Sequence, residues 1–121
     1  MKRGIITNNG QGIYISDGEV WMTSWEIAAL LYTTAGTIHA AIKRILKANV
    51  LKSYEVCKYI KLENGNNADV YNLDMVIILS YQIDTGHSAA FRKGLINKVA
   101  RKQDYTLLLY FKNDTNHTLY C

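Results

Sequence analysis

At 121 residues the chain is sized for one domain, and an apolar share of 49% is enough to build a single core. No apolar run approaches the roughly eighteen residues that cross a membrane, and Met1-Lys2-Arg3 leads into the polar stretch Gly4-Ile5-Ile6-Thr7-Asn8-Asn9-Gly10 rather than a signal-peptide core, which points to a cytoplasmic protein. Fourteen Lys and Arg against ten Asp and Glu leave +4, a modest excess whose distribution says more than its total.

Residues 4–22 read as a β-hairpin or a pair of short strands. Ile5-Ile6-Thr7 and Gly12-Ile13-Tyr14-Ile15 flank the turn Asn8-Asn9-Gly10, and Asp17-Gly18 turns the chain again before Val20-Trp21-Met22. Thr23-Ser24-Trp25-Glu26 then has the spacing of a capping box, in which hydroxyl and carboxylate satisfy each other's unpaired backbone N–H groups. A helix to Tyr32 follows. Thr33-Thr34 interrupts it and offers a hydroxyl cap to a second helix, from about Ala35 to Lys47. There Ile38, Ile42 and Ile45 share one buried stripe, Gly36, Ala40, Lys43 and Lys47 point the opposite way, and Thr37, His39 and Arg44 lie on the flanks.

Residues 53–73 read as a second hairpin. Tyr54, Val56, Lys58, Ile60 and Leu62 alternate with Glu55, Cys57, Tyr59 and Lys61, residues 63–67 form the turn, and Ala68 to Leu73 return. Asp74 to Gln82 is apolar on every side and suits a buried helix. Asp84-Thr85-Gly86 breaks it before a last helix, about Ser88 to Lys102, that buries Phe91, Leu95 and Val99. The domain spans residues 1–103. The tail, 104–121, contains an uncharged strand over 105–111 that must pair with something, and pairing with its own copy would give a symmetric dimer. Cys57 and Cys121 have no ligand spacing around them and read as two reduced thiols.

Charge falls in blocks. Residues 37–61 carry six basic groups and one acid, residues 87–103 five basic groups and no acid, and residues 62–86 four acids and no base. Phosphate binding accounts for such islands, and so do two solvated helix faces. Two helices joined by a few residues, the second exposing cations, form the helix-turn-helix pattern. Ala28 is small enough for the helix crossing, and Leu31 and Ile38 face each other across the turn. Tyr32 stands where a turn glycine is usual, and Thr33 where a small apolar residue is usual. An ordinary helical hairpin fits the same pattern. The hairpin with Lys58 and Lys61 resembles a wing, although its Asn- and Gly-rich tip is equally a plain turn.

The fold expected is α+β: a winged helix-turn-helix-like domain with N-terminal strands, a β-hairpin wing, two further helices and a C-terminal tail strand. Thr37, His39 and Ala40 would lie nearest base edges of double-stranded DNA, with Lys43, Arg44 and Lys47 on phosphates. Thr33 and Thr34 can donate to phosphate at the helix N-terminus, and Lys58 and Lys61 are the wing candidates. The three histidines, His39, His87 and His117, have no second ligand at i+3 or i+4, and no phosphate loop or nucleophile motif occurs. No catalytic residue, metal, cofactor or small-molecule substrate is therefore expected. A protein-interaction module, such as an antirepressor or a toxin–antitoxin partner, is the alternative that nine Tyr and two Trp suit.

Several segments carry a family resemblance. Val20-Trp21-Met22-Thr23, Ala28-x-Leu30-Leu31, Ile38, Ile42-Lys43, Val70-Tyr71-Asn72-Leu73-Asp74, Ile77-Ile78, Tyr81-Gln82-Ile83 and Phe91-Arg92 resemble the RhuM family of virulence-associated, mobile-element proteins. The likeness covers roughly residues 1–100. Tyr71-Asn72-Leu73-Asp74 followed by Phe91-Arg92 is its most specific part, and Gly94-Leu95 departs from the tryptophan and small residue usual there. The resemblance implies a DNA-binding-like domain and brings no catalytic residues.

Overall fold

In the computed structural model, which describes residues 2–8 and 12–101, local side-chain caps begin the longer helices. The elements are β1 (Ile6–Asn8), β2 (Ile13–Ile15), β3 (Trp21–Met22), α1 (Ser24–Leu31), α2 (Ala35–Lys47), α3 (Ser53–Val56), β4 (Cys57–Lys61), β5 (Asn67–Asn72), α4 (Leu73–Gln82) and α5 (Gly86–Arg101). The class is α+β. Strands β1 and β2 form an antiparallel pair, and β3, β5 and β4 form a second antiparallel sheet in that order.

The capping box is formed. Glu26 N donates to Thr23 Oγ1 at 3.2 Å and Thr23 N donates to Glu26 Oε1 at 2.8 Å. Thr34 caps α2 by accepting from Thr37 N at 3.2 Å, and Asn72 caps α4 by accepting from Met75 N at 3.2 Å. Between α1 and α2, Tyr32 sits in the left-handed region (φ 56°), which costs a non-glycine residue roughly 1 kcal/mol. The start of α5 braces that turn. The Tyr32 ring stacks on His87 with centroids 4.7 Å apart, and the Thr85 hydroxyl donates to the Leu31 carbonyl at 2.6 Å.

The last helix starts at Gly86, two residues before the expected Ser88, and the second hairpin departs from expectation at both strands. Tyr54 to Val56 do not extend the hairpin: Ser53–Val56 is a helical turn, with Glu55 N and Val56 N both donating to Lys52 O. Alternation alone could not reveal this, because the turn is held by tertiary contacts. Val56 enters the core and the Asn72 side chain donates to Glu55 O at 3.3 Å. The return strand accordingly starts at Asn67 and stops at Asn72, whose side chain is taken by the α4 cap. The tail over 104–121, with the expected strand, His117 and Cys121, lies outside the described residues, as do Asn9, Gly10, Lys102 and the side chain of Val99.

One main core joins Ile6, Met22, Ile27, Leu31, Ile38, Ile42, Ile45, Met75, Leu79 and Phe91. A smaller cluster of Trp21, Leu62, Ala68 and Val70 occupies the other face of the three-stranded sheet. Residues 2–4 are laid against the turn before β3. Gly4 N donates to Glu19 O at 2.7 Å and Trp21 N donates to Gly4 O at 3.2 Å. The approach is so close that a Cβ on Gly4 would lie 2.4 Å from Gly18 O, a backbone atom. Gly4→Ala is therefore expected to lower stability by about 1–3 kcal/mol in urea unfolding. Gly36→Ala, at an exposed helical position with space around it, should raise stability by roughly 0.5–1 kcal/mol.

Candidate nucleic-acid interface

Burial of one stripe of α2 forces the opposite face outward. Ile38, Ala41, Ile42 and Ile45 are buried, whereas Gly36, Thr37, His39, Ala40, Lys43, Arg44 and Lys47 are exposed. The helix contains no acid, and none of its three cations has an ion-pair partner among the described residues. Arg44 and Lys47 lie in the last turn, where they also favour the negative end of the helix dipole.

The residues expected to meet DNA are not all equally free. Thr33 is half-buried and its N–H donates to Ala28 O at 2.9 Å. The Thr34 and Thr37 hydroxyls lie 2.9 Å apart, so one donates to the other and one O–H stays available for an anion. His39 Nε2 lies 2.7 Å from Ser24 Oγ, which ties the imidazole of this exposed residue back to the first residue of α1. That bond crosses fifteen residues and left no trace in the helical pattern.

The hairpin separates its two lysines. Side chains alternate faces along a strand, and the register pairs Lys58 with Val70 and Lys61 with Asn67. Lys58 Nζ sits 4.1 Å above the Trp21 ring, on the face of the small cluster. Lys61 lies on the opposite face with Tyr59, which is 71% exposed. The hairpin is also electrically neutral, since Glu63 and Asp69 balance Lys58 and Lys61. Of the second basic island, Arg92 is committed internally. It donates to the Ser80 carbonyl and stacks 4.8 Å from the Tyr81 ring centroid.

Arg3 was not legible as special from its place in the sequence. It is 6% exposed and uses all five of its N–H groups. Nη1 donates to Trp21 O and Glu26 Oε1, both at 2.7 Å, and Nη2 to Glu26 Oε2 at 3.2 Å and Glu63 Oε2 at 3.1 Å. Nε completes the set with Glu63 Oε1 at 3.3 Å. Burial alone would raise the Glu26 carboxyl, but the bonds from Arg3 and the Thr23 N–H outweigh it and hold the carboxyl below its ordinary value. Hydrogen bonding to Arg3 likewise holds Glu63 down.

Little reactive chemistry surrounds these groups. Burial, then the nearby Asp69 charge, pushes the Cys57 thiol up, which disfavours the thiolate. Burial and the charges of Cys57 and Asp69 push the Tyr71 hydroxyl up to about 12. A groove of about 390 Å³ between β1 and α1 is lined by Ile5, Ile6, Thr7, Asn8, Glu26, Ala29 and Leu30. Its one carboxylate is the Glu26 already held by Arg3. Among the described residues no cluster of His, Cys, Asp and Glu is arranged to hold a metal, and no helix is long and apolar enough to cross a membrane. A scan against protein-family models gives no match, and neither do searches of curated proteins and of solved structures.

The depressed carboxyls make stability depend on pH with a defined sign. A lowered folded value means that the unfolded chain binds more protons in acid, so protonation favours unfolding. The contribution is complete above the ordinary Glu value of 4.5 and is lost as pH falls through the lower folded values. Arg3→Met should cost about 2 kcal/mol near neutral pH, because it leaves the half-buried Glu26 carboxylate with the Thr23 N–H but without its counter-ion. It should also flatten the acid limb of a urea-unfolding series, since the carboxyls are no longer held down.

Proposed function

We propose that this chain is a DNA-binding protein, a transcriptional regulator or mobile-element-associated factor of the RhuM kind, that lays α2 in the major groove. The observation that carries the reading is the outward face of α2. Lys43, Arg44 and Lys47 stand exposed beside the small Gly36 and Ala40, with no acid on the helix and no ion pair among the described residues to hold the cations. Small residues near the N-terminus let the backbone approach a groove, and the lysines further along reach phosphates. Thr37, His39 and Ala40 lie nearest base edges in this arrangement.

The wiring supports a winged helix-turn-helix. A strand (β3) leads into two helices, a hairpin follows after the short α3, and its return strand β5 lies between β3 and β4. Lys61 is then the wing's phosphate candidate, while Lys58, stacked on Trp21, serves chiefly to cover the small cluster. The second reading, a protein-interaction module, draws on exposed aromatics: Trp25, Tyr54 and Tyr59 are 54%, 79% and 71% exposed.

Salt separates the two readings. A DNA complex weakens steeply with salt through counterion release, whereas an apolar protein interface barely responds. In fluorescence anisotropy on random duplex DNA, the Lys43→Ala/Lys47→Ala variant should bind more weakly than the wild type on every sequence. Its log–log salt slope should be shallower by about 2, because two fewer phosphates are neutralised and their counterions stay with the DNA. An unchanged slope would remove α2 from the interface.

A further inference from the structure

Strand pairing secures only the base of the wing. β3 is two residues long and pairs with Tyr71 and Asn72, at the end of β5 farthest from the turn. From Lys58 to its partner Val70 the ribbon has two strands, with β4 at the open edge of the sheet. A two-stranded ribbon is marginal by itself and free to twist. Besides the Lys58 ammonium over the Trp21 ring, two features restrain it. One is the small cluster in which Leu62, Ala68 and Val70 pack on Trp21. The other is Glu63, at the first turn residue, gripped through both oxygens by Arg3.

Arg3 is itself fixed in the frame that presents α2. Residues 3 and 4 are held by the backbone bonds of Gly4 to Glu19 and Trp21. The guanidinium grips Glu26, which caps α1 from within its first turn, and α1 packs on α2 through the main core. We infer that Arg3 is a positioning residue for DNA binding: through Glu63 it sets the angle of the wing relative to α2. This inference rests on the DNA-binding reading above. It also accounts for an acid at the tip of a hairpin expected to approach phosphates. Glu63 would oppose DNA by charge, yet its negative charge is spent on a buried cation that no other described group than Glu26 balances.

The test uses that conflict of sign. Glu63→Gln removes a negative charge from the wing and, by charge alone, should tighten DNA binding. If Glu63 positions the wing, the same substitution weakens binding, by about fivefold. Asp69→Asn removes an equal charge from the same hairpin at an exposed position without touching Arg3. It should bind as tightly as the wild type or more tightly. Both variants would be titrated with duplex DNA at low salt, with circular dichroism to verify folding and amide NMR shifts over residues 57–72 to report the hairpin.

Weaker binding by Glu63→Gln alone, with shifts confined to the hairpin, supports the positioning role. Binding by Glu63→Gln at or above wild-type affinity overturns it and leaves the DNA reading standing. Equal weakening in both variants also overturns it, because loss of charge without loss of the clamp would then suffice. Absence of binding by the wild type at low salt removes the DNA reading and the clamp's role together.

Discussion

A guanidinium withdrawn from water must have its hydrogen-bond donors satisfied, or the fold carries the full penalty of an uncompensated buried charge. Arg3 meets that requirement with five N–H groups and five bonds, to the Glu26 and Glu63 carboxylates and the Trp21 carbonyl. Its partners belong to three separate segments: the strand before α1, the first turn of α1 and the turn of the β4–β5 hairpin. The N-terminal strand, the helix pair and the hairpin are thereby referred to one fixed point. The arrangement depends in turn on Gly4 and Gly18, whose missing side chains let residues 2–4 lie against residues 18–20.

The second half of the chain acts as a buttress. α4 is apolar nearly all round and fills the space behind α2, with Met75, Val76 and Leu79 fully buried. α5 inserts Phe91 and Leu95 into the same core, and His87 and Thr85 at its start reach the turn between α1 and α2. Those contacts stabilise the left-handed Tyr32 that stands where glycine is usual. α2 is thus held from behind, and the side left open is the one that carries its cations.

Charge is distributed unevenly between the two surfaces that a winged reading would bring to DNA. α2 contributes three cations with no ion-pair partner among the described residues, whereas the hairpin is neutral and has one lysine on each face. The two basic islands of the sequence also diverge in role. The first remains open where it lies on α2 while its Lys58 is stacked on Trp21, and in the second Arg92 is drawn inward to the Ser80 carbonyl and the Tyr81 ring. Counting charges along the chain treats both islands alike, because a count does not register which cations find an internal partner.

Signals confined to a few neighbouring residues determined much of the architecture. The Thr23–Glu26 capping box, the Thr34 cap and the Ile38/Ile42/Ile45 stripe defined α1 and α2 and the outward face of α2. Asp17-Gly18 and the turn residues after Leu62 marked breaks between strands. Each is a matter of local hydrogen bonding or of side-chain period, and needs no knowledge of distant residues. The tertiary structure alone decided what depends on residues far apart in the chain. Arg3 meets Glu63 across sixty positions, His39 reaches back to Ser24, and Asn72 takes the Glu55 carbonyl within α3, where the start of a strand was expected. The reason is physical: a buried charge or an unpaired carbonyl accepts any well-placed partner, and which partner is well placed is settled only when the elements pack.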